Sequence, residues 1–158
     1  MSLSQHARLA RVLAIAVPAL LLGGAYVSEY GFGLYPCEMC WWQRWPHFAA
    51  FGFALLAYVV PPQRLWIGAA ALAILVSGAI GLFHAGVEYG WWPGITSCAV
   101  VGGGGSGNAL EDIMNTPLVR CDAPAWTLFG ISLAGYNFLI STAAGVAIVS
   151  LLMKDRKA

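Results

Sequence analysis

Four long apolar runs, parted by two short breaks and one long polar stretch, set the plan of this chain. The first, Val12 to Tyr30, follows a polar and basic start that carries Arg8 and Arg11. A secretory signal also opens with a basic patch and an apolar run. This run is longer, and no clear small-x-small cleavage site follows it, so a retained span is expected. Glu29 to Pro36 is a short loop rich in glycine and aromatics, and the second run extends from about Trp41 to Val60. Pro46 leaves the start of that helix open. A start near Trp45 puts Pro46 in the first turn, where it is tolerated; a start near Cys40 makes it a kink. Pro61-Pro62-Gln63-Arg64 is a tight turn, so the second and third spans must be antiparallel neighbours. The third, Leu65 to Tyr89, is rich in small residues (Gly68, Ala69, Ala70, Ala71, Ala73, Ser77, Gly78, Gly81) that let helix backbones approach closely in lipid.

Gly90 to Ala125 is the long polar loop, and it holds Cys98 and Cys121. Gly102 to Gly107 is a flexible linker by composition, native or engineered. Asn108 with Glu111 three residues on has the form of a capping box. Leu110, Ile113 and Met114 follow at helical spacing, as a short helix lying on the membrane surface would have them. Trp126 to Met153 is the fourth span. Each run is long enough to cross a bilayer as a helix. The expectation is a single membrane domain over 1–158: an all-α, antiparallel four-transmembrane-helix bundle with both termini on one side.

Composition agrees. The chain is 59% apolar and 9% charged, against about 25% charged in soluble domains, and its mean hydropathy is +0.73. A net charge of +1 gives no general attraction to nucleic acid. The distribution of charge says more. Arg8, Arg11, Arg64, Lys154, Arg156 and Lys157, six of the eight basic residues, fall on the face with the termini, which the positive-inside rule makes cytoplasmic. Six of the seven acids and six of the seven tryptophans fall on the other face, the tryptophans as an interfacial belt would. The cysteine loops are therefore expected on the side away from the cytoplasm.

All four cysteines lie on that outer face, where disulfides persist. Only Arg44 and Arg120 break the charge pattern, and both sit by cysteines, where a cation favours a thiolate. Cys37-x-x-Cys40 closes too short a ring to constrain the unfolded chain much, so it is a poor staple and a good exchange site. Cys98 and Cys121, with 22 residues between them, would staple better. A zinc site needs two close-spaced pairs, and only one is present. A small membrane scaffold with structural disulfides is the non-enzymatic alternative. The reading that uses every cysteine moves two electrons from a mobile outer-loop pair, which can meet a soluble protein, to a pair at the membrane surface. A lipid-soluble acceptor of two electrons and two protons, such as a quinone, then takes them.

Cys37-x-x-Cys40-x-x-x-Arg44, together with Cys121-Asp-Ala-Pro-Ala-Trp126 leading into the last span, resembles the DsbB family of disulfide-bond-forming membrane proteins, and the resemblance covers essentially the whole chain. It implies that Cys98 and Cys121 take electrons from a reduced periplasmic DsbA-like oxidase of the thioredoxin fold. It implies that Cys37 and Cys40 pass them to ubiquinone or menaquinone, with Cys40 facing the quinone ring and Arg44 holding a quinone oxygen. Trp41 and Trp42 are candidates to wall the headgroup, though interfacial anchoring would serve equally. His84, near the outer end of the third span, is a candidate for a hydrogen bond to the quinone or for taking a proton; packing at the interface is its plain alternative. Asn137 is expected to bond between helices. Gln43 stands where some relatives carry an acid, so no proton relay is assigned to it, and the glycine-rich linker departs from the family's loop. The vitamin-K-epoxide-reductase-like proteins also couple a four-helix bundle to quinone chemistry. Their active Cys-x-x-Cys lies in the last span, which here has no cysteine.

Overall fold

The structure is a computed structural model that describes residues 4–96, 99–100 and 118–155. Cys98, the Gly102–Gly107 linker and the short helix expected after Asn108 lie outside the described residues. Four helices carry the fold: α1 (Gln5–Phe32), α2 (Glu38–Val59), α3 (Gln63–Glu88) and α4 (Leu133–Asp155). Two antiparallel two-residue ladders decorate the end with the cysteines. β1 (Ala99–Val100) pairs with β2 (Leu118–Val119), and β3 (Thr127–Leu128) with β4 (Ile131–Ser132).

Local chemistry sets the helix ends. Ser4 caps α1 by accepting the Ala7 N–H. Gly33 ends it in the left-handed region, with φ of 68°, donating to the Glu29 carbonyl while Leu34 N–H reaches back to Ser28. The Gly33-to-Glu29 bond on a left-handed residue is the αL form of helix cap, a position that favours glycine. α2 begins at Glu38, so Pro46 lies well inside the helix rather than in its first turn. α4 begins at Leu133, later than the apolar run from Trp126 suggests. The seven residues between form a hairpin, whose turn puts Phe129 at φ 51° and Gly130 at φ 76°. Both central residues in the left-handed region make this a primed hairpin turn. Ser132 then caps α4 by accepting the Gly135 N–H at 3.1 Å. The Tyr89 hydroxyl at the end of α3 pins the hairpin, donating to Gly130 O at 2.9 Å and accepting from Ser132 N at 2.8 Å.

α1, α3 and α4 are long and apolar enough to cross a membrane. α2 matches them in length, but Gln43, Arg44, Pro46 and His47 interrupt its first half. Gln43, Arg44 and His47 sit on its inward face, while Trp45, Leu55, Tyr58 and Val59 leave the other face exposed. The chain is thus a multi-pass membrane protein, layered along its axis. Near the termini the core is almost all alanine and isoleucine: Ala10, Ala14, Ala50, Ala54, Ala57, Ile67, Ala70, Ala71, Ile74 and Ile148 are fully buried. At that end the buried Asp155 carboxylate meets both Ser4 and Arg64, which ties the two termini to the α2–α3 turn. The middle layer is polar (Ser77, His47, Ser141, Gln43), and the far layer holds Cys37, Met39, Val87 and Cys121.

The small residues of α3 do what their composition promised. A Cβ on Gly81 would lie 2.9 Å from the Ala134 carbonyl oxygen of α4, so the two backbones touch through that glycine. Gly81→Ala is expected to destabilise by about 1–3 kcal/mol, as overpacking does, read as a lower unfolding midpoint of the purified protein in detergent. Gly68→Ala, whose Cβ would meet nothing within 4 Å, is expected to leave the midpoint unchanged or slightly raised. Equal losses at both positions would contradict the α3–α4 contact.

Candidate functional site: a sulfur relay beside a buried cavity

The turn at Gly33 and the short loop after it deliver Cys37 as the N-cap of α2. Its Sγ accepts the Cys40 N–H at 3.3 Å and lies 3.0 Å from the Cys40 Sγ. A disulfide is about 2.05 Å long, so the pair is a dithiol poised to close. α3 brings His84 across. Its Nε2 is 3.6 Å from Cys37 Sγ and 3.6 Å from a Glu88 carboxylate oxygen one turn on, and His84 is buried. Cys121 arrives on the segment after β2. Its sulfur, the Cys37 sulfur and a His84 ring nitrogen all lie within 4.8 Å of one another. The β1–β2 ladder sets Ala99 opposite Val119, so the strand after Cys98 runs beside the strand that leads to Cys121. Burial pushes the Cys121 thiol up from its ordinary value. The Arg120 guanidinium beside Asp122, bonded at 2.8 and 2.7 Å, holds that carboxyl below its usual range.

Two sulfurs and an imidazole could ligate zinc, but the hydrogen bonds around His84 oppose it. The Gln43 amide nitrogen is 3.2 Å from the Met39 carbonyl, which can only accept, and 2.8 Å from His84 Nδ1. Nδ1 therefore accepts, and Nε2 keeps its hydrogen and faces the sulfur as a donor. A metal would need that nitrogen's lone pair.

Cys40 also lines a cavity of about 240 Å³ between α1, α2 and α4. Leu20, Leu21 and Leu22 of α1 form one wall; Cys40, Gln43, Arg44 and His47 of α2 and Asn137 of α4 supply its polar groups. The volume falls just below the roughly 300–1,000 Å³ usual for ligand pockets, which suits one small ring. Arg44 is buried. It donates to Glu29 at 2.6 Å and to Ala25 O at 3.4 Å, and its guanidinium lies 5.0 Å from the Tyr26 ring and 4.9 Å from that of Trp41. Both outward arginines are thus paired with carboxylates, so neither acts on a sulfur as a lone cation. The chemistry of this lining fits a quinone headgroup: an apolar wall, a guanidinium with further N–H groups, and a sulfur; the buried His47 Nδ1 is without a partner.

A family model described as disulfide bond formation protein DsbB matches residues 7–151. The chain belongs to the DsbB family. Among curated relatives, the disulfide bond formation protein B of Azoarcus sp. (strain BH72) is 32% identical over 87% of this chain and 87% of its own. That of Verminephrobacter eiseniae (strain EF01-2) is 29% identical over 93% and 86%. An uncharacterised protein of Rickettsia prowazekii (strain Madrid E) is 26% identical over 80% and 77%. No solved structure matches. As a DsbB-family protein the chain is a disulfide bond formation protein and a thiol oxidoreductase.

Of the residues singled out in sequence, this DsbB-family structure gathers Cys37, Cys40, Cys121 and His84 at one end and sets Arg44 on the cavity. Trp41 stacks on Arg44 at a partly exposed position, Trp42 packs beside the cysteines, and His84 meets Cys37 and Gln43; none of the three lines the cavity. Gln43 turns out to join α2, α3 and α4, and Asn137 does bond between helices. Glu29, Glu88 and His47 were missed. Their signal was spacing: Glu88 is four residues past His84, and Cys40, Gln43 and His47 share one face of α2. In the reduced protein, alkylation of Cys121 by a water-soluble maleimide is expected to be slow and to climb with pH beyond the ordinary thiol range near about 8.5, followed for each cysteine by mass spectrometry. A rate that levels off below that pH would contradict a raised, buried thiol.

Proposed function

We propose that the protein re-oxidises a soluble periplasmic thiol oxidase, DsbA-like and of the thioredoxin fold, and delivers the electrons to ubiquinone or menaquinone. The observation that carries this is the order of the sulfurs. Cys121 lies beside Cys37, Cys37 is 3.0 Å from Cys40, and Cys40 is the one described cysteine on the cavity wall. The basic residues at the opposite end support a periplasmic position for this one, by the positive-inside rule.

The partner's dithiol attacks a Cys98–Cys121 disulfide; the partner leaves as a disulfide, and Cys98 and Cys121 are left as thiols. The Cys121 thiolate attacks Cys37 Sγ of the Cys37–Cys40 disulfide. A Cys121–Cys37 bond forms and Cys40 leaves as a thiolate at the cavity wall. Cys98 then attacks Cys121, remaking the outer disulfide and releasing Cys37. Each exchange conserves two electrons and needs only a thiolate and a reachable sulfur. The His84 Nε2–H and the Cys40 N–H face Cys37 Sγ and meet charge left there. A quinone bound in the cavity supplies an acceptor for two electrons and two protons. Arg44 would hold a quinone oxygen, and the α1 leucines would shield the ring from water. Trp41 keeps the guanidinium flat from outside.

The test is quinone-dependent oxidation of a reduced thioredoxin-fold partner by the purified protein. Serine in place of any one of Cys37, Cys40, Cys98 or Cys121 is expected to abolish turnover. Arg44→Ala, made with Glu29→Gln so that no carboxylate is stranded, is expected to weaken quinone binding about tenfold or more, since a hydrogen bond from a charged group contributes about 1.5–3 kcal/mol. Unchanged affinity and turnover would remove Arg44 from the site.

A further inference from the structure

The polar layer beneath the cavity fixes where its hydrogens are. A backbone carbonyl only accepts, so the Asn137 group 3.1 Å from Ser77 O is the amide nitrogen, which also donates to Gln43 Oε1 at 2.8 Å. Asn137 Oδ1 is then the atom 2.9 Å from His47 Nε2. A carboxamide oxygen also only accepts, so His47 Nε2 carries a hydrogen. The Ser141 hydroxyl spends its single hydrogen on the same oxygen at 3.0 Å and can only accept from Nε2, at 3.4 Å. In the neutral ring Nδ1 is therefore a bare lone pair. It is buried without a partner, on a side chain that is 3% exposed and lines the cavity. This arrangement is not a proton wire, because Gln43 and Asn137 are carboxamides held in one orientation by the Met39 and Ser77 carbonyls. It is a lock on the tautomer of His47.

An acceptor at that place distinguishes the two forms of the carrier. Quinone oxygens only accept, whereas the hydroquinone presents O–H donors. We propose that His47 is a binding residue selective for the reduced carrier: its Nδ1 accepts a hydroquinone hydroxyl, so the site holds the hydroquinone more tightly than the quinone. The inference rests on the quinone reading above. Selective binding of the reduced form draws the bound couple toward reduction and makes it a stronger oxidant of the cysteine pair. Tenfold selectivity corresponds to about 30 mV for a two-electron couple.

The experiment measures equilibrium binding of a short-chain ubiquinone and of its hydroquinone, anaerobically, to full-length protein with both cysteine pairs oxidised, so that no dithiol is present to consume the quinone. The wild type is expected to prefer the hydroquinone about three- to tenfold, the range that one neutral hydrogen bond supplies. His47→Leu is expected to lose that preference while quinone affinity holds. His47→Gln, whose carboxamide oxygen can still accept, is expected to recover part of it. A wild type that binds both forms equally overturns the inference and needs no variant to do so. So does a His47→Leu protein that keeps the preference, or one that loses both affinities alike. A wild type that binds neither form overturns the quinone reading itself.

Discussion

Inside lipid a polar atom without a partner costs several kcal/mol, because no water is there to take its place. α2 places Gln43, Arg44 and His47 within little more than a turn of a span, and that constraint shapes the rest of the bundle. Each of the three is answered from a different helix. Glu29 of α1 meets Arg44, His84 and Ser77 of α3 meet Gln43, and Asn137 and Ser141 of α4 meet His47. The polar face of α2 is therefore turned inward against all three neighbours, while Trp45, Leu55, Tyr58 and Val59 leave its other face exposed. Buried ion pairs such as Arg44–Glu29 rarely add much net stability, since desolvation offsets the attraction. What such a pair does is set the position of a guanidinium at the edge of the cavity.

The same packing separates the surroundings of the cysteines. Cys37, as N-cap, accepts the first helical bond from the Trp41 N–H and faces α3 and the segment after β2, where Cys121 is. Cys40, three residues on, stays beside Cys37 and also lines the cavity between α1, α2 and α4. Cys37 thus stands at the junction between Cys121 and Cys40, and Cys40 alone of the described cysteines lines the cavity. His84 belongs to the junction rather than to the cavity. Gln43 holds its Nδ1 as an acceptor, which leaves the other ring nitrogen as a donor toward sulfur and argues against a metal there.

Much of this was legible in the sequence, for physical reasons. Bilayer thickness makes spans conspicuous, so the four-helix plan needed little beyond hydropathy. The redox reading followed from four cysteines and two stray arginines on one face. Other features were hidden by the same logic. The apolar run from Trp126 merges with the helix that begins at Leu133; the Phe129-Gly130 turn and the Ser132 cap were the only marks of the hairpin between them. Gln43 looked like a lost acid because its worth lies in orienting two histidines, which depends on carbonyls of Met39 and Ser77 that no spacing reveals. His47 read as one more interruption near Pro46, since its role depends on the face it shares with Cys40. Cys98 and the linker region lie outside the described residues, so the outer pair rests on the chain's resemblance to its family and on the β1–β2 register.

The central claim is that Cys37, and not Cys40, exchanges with Cys121. The direct measurement is peptide mapping of the disulfide formed on mild oxidation of two double variants, Cys40→Ser/Cys98→Ser and Cys37→Ser/Cys98→Ser. A relay running Cys121, Cys37, Cys40 requires an efficient Cys37–Cys121 bond in the first protein and little or no Cys40–Cys121 bond in the second. A Cys40–Cys121 bond that forms as readily as the other, or no bond in either protein, would contradict it.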